Sequence, residues 1–506
     1  MRVALKVLLL VLLAVGVALP TAYSTFIHSE REVNIGAHEA TVQPTFSGYA
    51  RIDFGTLIPQ IRVPAEAPLG FGVDVRLGDS EITKLDQLVA RDAAIAAQPQ
   101  GEIAAVRSTI TSMLIDAAMR ALGAALLAVL VAVLAWRAIG RTRRRAIWAA
   151  ARHPHRRQVI GATGVGVITI AALILVAAPD RPHSDDKAWV PIGSVFPELR
   201  SDAVLDKVEI AQCASTSGSR ALVEGALATY RTSVSFYGRL AVSAATADVR
   251  TPSEGETTAL VVTDRHDNIG MDPVARAVAD RAGARMLIDL GDDTSNGGSW
   301  EAFSINSLAR EFRDFEIVAV AGNHDTGPTV RQQMKDKGFT VLDGKPVTVD
   351  GVRFIGSSDP RSSGLTAGYS GDETRNNNSL RKQDERLEKA ACDAGDVSVI
   401  AVHSPSSARQ AAASGCADLV LSGHLHRPVG PTAIDGANGR TTTTLTTGST
   451  GGAVYAFALG SKLRREAQVT IVTFADGKPV GLQPVSFEPG GIIQVADYTP
   501  VTTSPR

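Results

Sequence analysis

Cysteine is scarce: only Cys213, Cys392 and Cys416 occur in a chain of 506 residues. That excludes a disulfide-dense scaffold. Excess charge of either sign is missing as well. Fifty-one Lys and Arg against 52 Asp and Glu leave a formal net charge of -1, which argues against a nucleic-acid binder dominated by basic surface. Aromatic residues make up 5% of the chain, too few for the base-stacking platforms of single-strand binders. Apolar residues are abundant. They are 44% of the sequence, at a mean hydropathy of +0.07. That is high for a purely soluble protein, so membrane segments are expected, in a chain long enough for two or three domains.

Three apolar runs are candidates for those segments. Residues 1–23 carry Arg2 and Lys6, then a run over 7–19, then Pro20 and small residues. The run is short for a spanning helix, which needs about 20 residues. A signal-peptide core cleaved near 22–24 and an uncleaved anchor both fit it. Runs over 117–136 and 159–178 are long enough to cross a bilayer. The connection between them holds eight arginines from Arg137 to Arg157 and no acid, the mark of a cytoplasmic loop. Alternation then puts residues 24–116, and everything after about 180, outside the cytoplasm.

The remaining chain divides by pattern. Residues 24–112 read as a small β-rich extracytoplasmic domain with a helical stalk. YARIDFG, QIRVP and GVDVRLG alternate apolar and polar positions, and an Ala-rich helical pattern starts near residue 81. The transmembrane hairpin takes 113–179. Residues 180–256 read as a tether, with a helix over 219–242, and as either a spacer or part of the domain after it. A catalytic domain covers 257–485, and a poorly ordered tail 486–506.

Within that domain, five stretches share one grammar: an apolar run, then an abrupt cluster of His, Asp or Asn. They read ALVVTDRH, MLIDLGDD, IVAVAGNHD, VIAVHSP and LVLSGHLHRP. Each run suits a buried strand, and in α/β sheets ligands gather at strand ends. The clusters supply Asp264, His266, Asp292, Asn323, His324, His403, His424 and His426. Five of the ten histidines fall here, which scattered surface histidines would not do; His28 and His38, standing alone, read as surface positions. No cysteine lies in the stretches, so this is not a thiolate zinc site. Imidazole nitrogens with carboxylate or amide oxygens suit Mn, Fe, Zn or Co. The set exceeds the roughly four to six ligands of one ion, and two ions about 3.5–4 Å apart, sharing a carboxylate, use it fully. Such a pair activates water and holds the attacking and leaving oxygens of a phosphoryl group. Taken singly, Gly-Asn-His-Asp is also a tight turn and Gly-His-Leu-His an ordinary strand end. Their co-occurrence points to a metal centre.

The motifs D-x-H (Asp264, His266), G-D (Gly291, Asp292), G-N-H-D (Gly322 to Asp325), the lone His403 and G-H-x-H (Gly423 to His426) resemble the calcineurin-like metallophosphoesterase family. The resemblance covers about residues 257–480. It implies an α/β fold, a four-layer αββα sandwich with two mixed sheets face to face. Here it would come after transmembrane helices and the β-rich domain. It also implies that Asp264, His266 and His426 hold one divalent ion, that Asn323, His403 and His424 hold the other, and that Asp292 bridges them. His324 would touch the substrate phosphate or protonate the leaving oxygen. The TTGSTGG run over 446–452 resembles the segment closing the second sheet. The family places the segments holding Cys392 and Cys416 close together, so a disulfide and two buried thiols are both open. This sequence departs from the pattern at Asp293, at His-Ser-Pro in the fourth stretch, and at Asp289, which needs a partner if buried.

The expected activity is a metal-dependent phosphoesterase on the extracytoplasmic side of the cell membrane. Its substrate would be a phosphate ester such as an envelope lipid or an exported nucleotide. A non-catalytic envelope binding protein is the alternative, and phosphodiester and phosphomonoester substrates both stay open. The polar loop over 361–380 reads as surface filler or as a cover over the site, and Arg361, after Gly-Ser-Ser-Asp-Pro, as a residue that could reach a phosphate.

Overall fold

The computed structural model describes residues 2–36, 38–55, 59–65, 67–78, 100–152, 188–195, 207–212, 220–364, 368–453 and 462–502. Two compact units divide the chain. One gathers residues 1–33, 40–78 and 106–219; the other gathers 34–39, 79–105 and 220–506.

The first unit is built on a seven-stranded sheet. Its strands are Arg31–Ile35, His38–Thr45, Tyr49–Asp53, Ile61–Pro64, Gly72–Leu77, Ala188–Pro191 and Glu209–Gln212 (β1 to β7), in the order β1-β2-β5-β3-β4-β7-β6. The expected β-rich region is therefore completed by strands from the stretch read as a tether. Arg62 of β4 ties the two parts together. It pairs with Glu209 of β7 at 2.6 Å, and its guanidinium stacks on Tyr49 and Trp189. Helix α1 (Arg2–Ile27) and helix α2 (Gln100–Ala138) contain the segments Lys6–Ile27 and Gly101–Ala138, each long and apolar enough to cross a membrane. The arginine-rich connection forms a helix of its own, α3 (Arg141–Arg152). The apolar run over 159–178 lies outside the described residues. A single helical turn, α4 (Ile192–Val195), comes directly after β6.

The second unit holds the five motif strands, in two mixed sheets. Strands Glu256–Val262 (β8), Met286–Asp289 (β9), Glu316–Ala319 (β10) and Thr340–Val341 (β11) run parallel. Antiparallel Ala467–Ala475 (β18) and Lys478–Phe487 (β19) extend them in the order β11-β10-β9-β8-β18-β19. The second sheet has the order β12-β13-β14-β15-β17-β16. Its members are Val347–Val349, Val352–Ser357, Val397–Val402, Ala417–Ser422, Val429–Asp435 and Thr441–Thr446 (β12 to β17).

Strands covered on both faces need unbroken apolar runs, and three cores show why these have them. One packs Val261, Ile288 and Val320 of the first sheet against Phe354, Val399 and Leu419 of the second. A second packs the outer face of the first sheet against α5 (Arg220–Ala244), α6 (Asp272–Arg281), α7 (Ala302–Glu311) and α8 (Gly327–Asp336). The third packs the outer face of the second sheet against α9 (Glu373–Ala394) and α10 (Arg409–Ser414). Cys392 of α9 and Cys416, just before β15, form a disulfide with their Cα atoms 4.9 Å apart.

One open reading is decided and two change. Helix α5 packs into the second unit rather than standing as a spacer, because Phe236, Tyr237, Leu240 and Ala244 are buried in its core with α6. The tail is not disordered through 502. Ile493–Val495 (β20) and Thr499–Pro500 (β21) both pair with β19, which offers them unfilled backbone groups. The polar loop read as 361–380 ends early. Asp372 caps α9 by accepting a hydrogen bond from Arg375 N, so Asn-rich 376–378 is helical.

Candidate metal centre

All eight candidate residues lie just beyond the C-terminal ends of five strands, and they meet between the two sheets. Strands β8, β9 and β10 deliver Asp264 and His266, Asp292, and Asn323 and His324. Strands β14 and β15 deliver His403, and His424 and His426. Delivering side chains into one small space requires sharp backbone turns. Asp264, His266, Asp292, His424 and His426 all sit at positive φ, between 45° and 72°. Such strain persists only where the surroundings impose it, and it gathers at functional sites. The motif glycines have a related cause. A Cβ on Gly322 would lie 2.1 Å from Asp292 Oδ1, and one on Gly423 would lie 2.0 Å from Thr263 Oγ1.

Two triads of ligand-type atoms result: Asp264, His266 and His426, and Asp292, His403 and His424. In the first, His426 Nε2 lies 3.2 Å from Asp264 Oδ1 and 3.0 Å from His266 Nε2. In the second, His403 Nε2 lies 3.1 Å from Asp292 Oδ2. Atoms bound at about 2.0–2.2 Å to one ion stand roughly 3–3.5 Å apart, so these spacings suit a metal shell. Asp292 Oδ2 is also 3.8 Å from His266 Nε2, so this carboxylate faces both triads. Asn323 lies in the chain between Gly322 and His324, whose backbones both adjoin Asp292.

Unsatisfied atoms supply the test of fit. Asp264 Oδ1, Asn323 Oδ1 and His403 Nε2 are buried and make no hydrogen bond, a costly arrangement unless something binds them. Their other atoms are fixed. Asn323 Nδ2 donates to Ser363 Oγ at 3.0 Å, and His403 Nδ1 donates to Leu290 O at 2.8 Å. His266 Nδ1 lies 3.2 Å from Thr294 O. A carbonyl only accepts, so it keeps the proton on Nδ1 and leaves the Nε2 lone pair for a metal. The donor set fits two divalent ions.

Electrostatics point the same way. Burial alone would raise Asp264 and Asp292, but facing histidines outweigh it and hold both well below the usual carboxylate range. Burial would lower His403, yet Asp292 and then Asp264 push it up to about 10. His426 is raised too, Asp264 outweighing burial. His266 is pushed down to about 4 chiefly by burial, and His424 to about 4 by burial and the neighbouring His403. In each triad one histidine is thus pushed toward its protonated form, which a cation at that ring nitrogen opposes.

Beneath the first-sheet ligands lies a charge network that sequence reading missed. Arg265, between two ligands, is wholly buried. It pairs with Asp272 at 2.7 Å and Asp293 at 2.7 Å and donates to Ser304 O at 3.1 Å. Asp325, the last residue of G-N-H-D, accepts from the backbone of Asp292 at 2.7 Å, Gly322 at 2.9 Å and Thr294 at 2.9 Å. Burial, then Asp293 and Asp292, push it up to about 7. Asp289 finds its partners in Gly291 N, at 3.0 Å, and Asp293. Its carboxyl is raised well above the usual range by burial and by Asp293. The unusual Asp293 and Asp289 therefore belong with Arg265 to the support of the ligand loops.

His324 is the candidate left partly open. Its backbone N donates to Asp292 Oδ1 at 2.8 Å and its Nδ1 to Ser295 O at 3.0 Å, which leaves Nε2 for a substrate. Arg361 is not a free phosphate hook. It is buried in a pair with Asp359 at 2.7 Å and stacks on Tyr369 at 4.0 Å.

Residues 258–459 match the family model described as Calcineurin-like phosphoesterase superfamily domain. Among solved structures, one described as a novel archaeal phosphodiesterase is similar over 43% of this chain and 93% of its own, at 14% identity and a TM-score of 0.25. A protein of Thermus thermophilus is similar over 48% of this chain and 98% of its own, at 10% identity and a TM-score of 0.30. No curated protein matches.

Proposed function

We propose that the second unit is a metal-dependent phosphoesterase that hydrolyses a phosphate ester with water. The observation that carries this reading is the convergence of the two triads on Asp292, with Asp264 Oδ1, Asn323 Oδ1 and His403 Nε2 buried and unsatisfied. Asp264, His266 and His426 would hold one divalent ion, Asn323, His403 and His424 the other, and Asp292 would serve both. When bound, the ions would supply Lewis-acid charge for the phosphoryl oxygens and an activated water. The chain's own part is to hold these ligands against strain, to exclude bulk water, and to move a proton. His324, anchored through Nδ1–H, protonates the leaving oxygen from Nε2 as its bond to phosphorus breaks; the ring enters that step as the imidazolium, with both nitrogens protonated, and leaves it neutral. The order helix, sheet, sheet, helix in the three cores supports the four-layer αββα reading of the domain.

On the same reading the site lies outside the cytoplasm. Strand β4, before α2, and strands β6 and β7, after residue 187, share one sheet. A chain that crosses a membrane at α2 must therefore cross back before β6, and the apolar run over 159–178 supplies the sequence for it. The arginines between the two runs favour the cytoplasmic face. The Cys392–Cys416 disulfide suits an oxidising compartment on the other. Substrates in reach there are envelope lipid phosphates and exported nucleotides.

Hydrolysis of bis-p-nitrophenyl phosphate and p-nitrophenyl phosphate by the detergent-purified chain, with and without Mn, tests the activity. Metal-stimulated turnover of either supports it, and their ratio separates diesterase from monoesterase. No turnover with any of Mn, Fe, Zn or Co would favour a non-catalytic binding protein. A reporter fused after Arg506 should be active only on the outer face.

A further inference from the structure

The two ends of the segment between β13 and α9 reach ligands of a single ion. At one end, Ser363 N donates to Asn323 O at 2.7 Å, and Ser363 Oγ receives Asn323 Nδ2 at 3.0 Å. At the other, the Tyr369 hydroxyl lies 2.8 Å from His424 Nε2. A backbone bridge between Ser363 and Tyr369, and Ser370 N donating to Ser362 O at 2.7 Å, join the ends. The Tyr369 ring is held against the Arg361 guanidinium, which Asp359 fixes in turn. Asp264 and His426 are held by a different segment: Ser449 Oγ and Gly451 N donate to Asp264 O at 2.8 and 3.1 Å, and the His426 ring bonds the backbone of Ala453.

We infer that Tyr369 is a positioning residue for one ion site, that of Asn323, His403 and His424, and leaves the Asp264, His266 and His426 site alone. This rests on the two-ion reading above. The reason is the tautomer of His424. A neutral imidazole carries one N–H. If the hydroxyl donated to Nε2, the proton would sit on Nδ1 and neither nitrogen would be free for an ion. The competent arrangement has Nε2–H donating to the Tyr369 oxygen, which leaves Nδ1 to bind. His266 and His403 face carbonyls, which permit only one choice. His424 faces a hydroxyl, so its orientation depends on this side chain and on the segment that carries it.

Manganese titration of the full-length chain by calorimetry, on wild type, Tyr369→Phe and Ser363→Ala, tests this. Wild type should take two ions. Tyr369→Phe, which removes only a hydroxyl from a ring 38% exposed, should bind one ion as wild type does and the other about 10- to 100-fold more weakly. Ser363→Ala should weaken the same ion. Two unchanged affinities, or equal weakening of both, would overturn the inference and leave the two-ion reading intact. A wild-type chain that takes fewer than two ions overturns that reading and the inference with it.

Discussion

The two sheets of the second unit each deliver candidate ligands to the same centre, but they hold them differently. Beyond the first sheet, Asp264, His266, Asp292 and Asn323 stand on loops braced by buried charge. Arg265 clamps Asp272 and Asp293, and Asp325 gathers three backbone N–H groups. Beyond the second sheet, the His403 ring leans on one carbonyl and the His424 ring on one partly exposed tyrosine, with the His424 backbone N donating to Asp264 Oδ2 at 2.8 Å. Buried charge is costly to assemble and costlier to break, so it suits parts that must not move. Single hydrogen bonds from a loop suit parts that can adjust. The first sheet supplies the fixed half of the centre and the second the adjustable half.

The largest effect should come from the first-sheet residue that also faces a second-sheet ligand, His403. Asp292→Asn removes the one carboxylate facing both triads, and turnover of bis-p-nitrophenyl phosphate should fall by roughly 10³-fold or more. If the variant kept both ions and near-normal turnover, the two halves would not share a centre at Asp292. Next comes the brace. Arg265→Ala leaves Asp272 and Asp293 buried without their cation, and should cost about 3–5 kcal/mol of stability. Urea unfolding measures it, and the contrast is with Tyr369→Phe, whose midpoint should scarcely move. Equal losses would erase the distinction between fixed and adjustable halves.

The smallest effect is in pH. His403 is raised to about 10, so its contribution is complete below its ordinary value near 6.5 and is lost as pH rises toward 10. Asp325, raised to about 7, loses its own contribution lower, between about 4 and 7. Metal-free protein should therefore lose about 2–3 kcal/mol between pH 7 and 9 through His403. Protein loaded with manganese should lose less, since the bound ion requires the deprotonated ring. Identical slopes with and without metal would remove His403 from the adjustable half.

The ligands were legible in the sequence because each cluster is local: an apolar strand, a glycine, then the ligand, all within a few residues. Their supports were not. Arg265 meets Asp293 across 28 positions, and Tyr369 meets His424 across 55. No periodicity carries such pairings. Asp325 was visible as part of G-N-H-D, but its work is on backbone amides, which a motif does not reveal. The same limit hid the seven-stranded sheet. Arg62 and Glu209 lie 147 residues apart, and the intervening apolar helix gives no hint that the strands on either side pair. Helix α5 was legible as a helix from its 3.6-residue spacing, but its place in the core of the second unit depends on what it meets.

The most direct measurement is anomalous diffraction at the manganese edge from crystals of the full-length protein grown with that ion. Two peaks are expected about 3.5–4 Å apart, one on each side of the Asp292 carboxylate, with Asp264 beside one and His403 beside the other. A single peak, or none within reach of Asp292, would contradict the dinuclear centre and the phosphoesterase reading built on it.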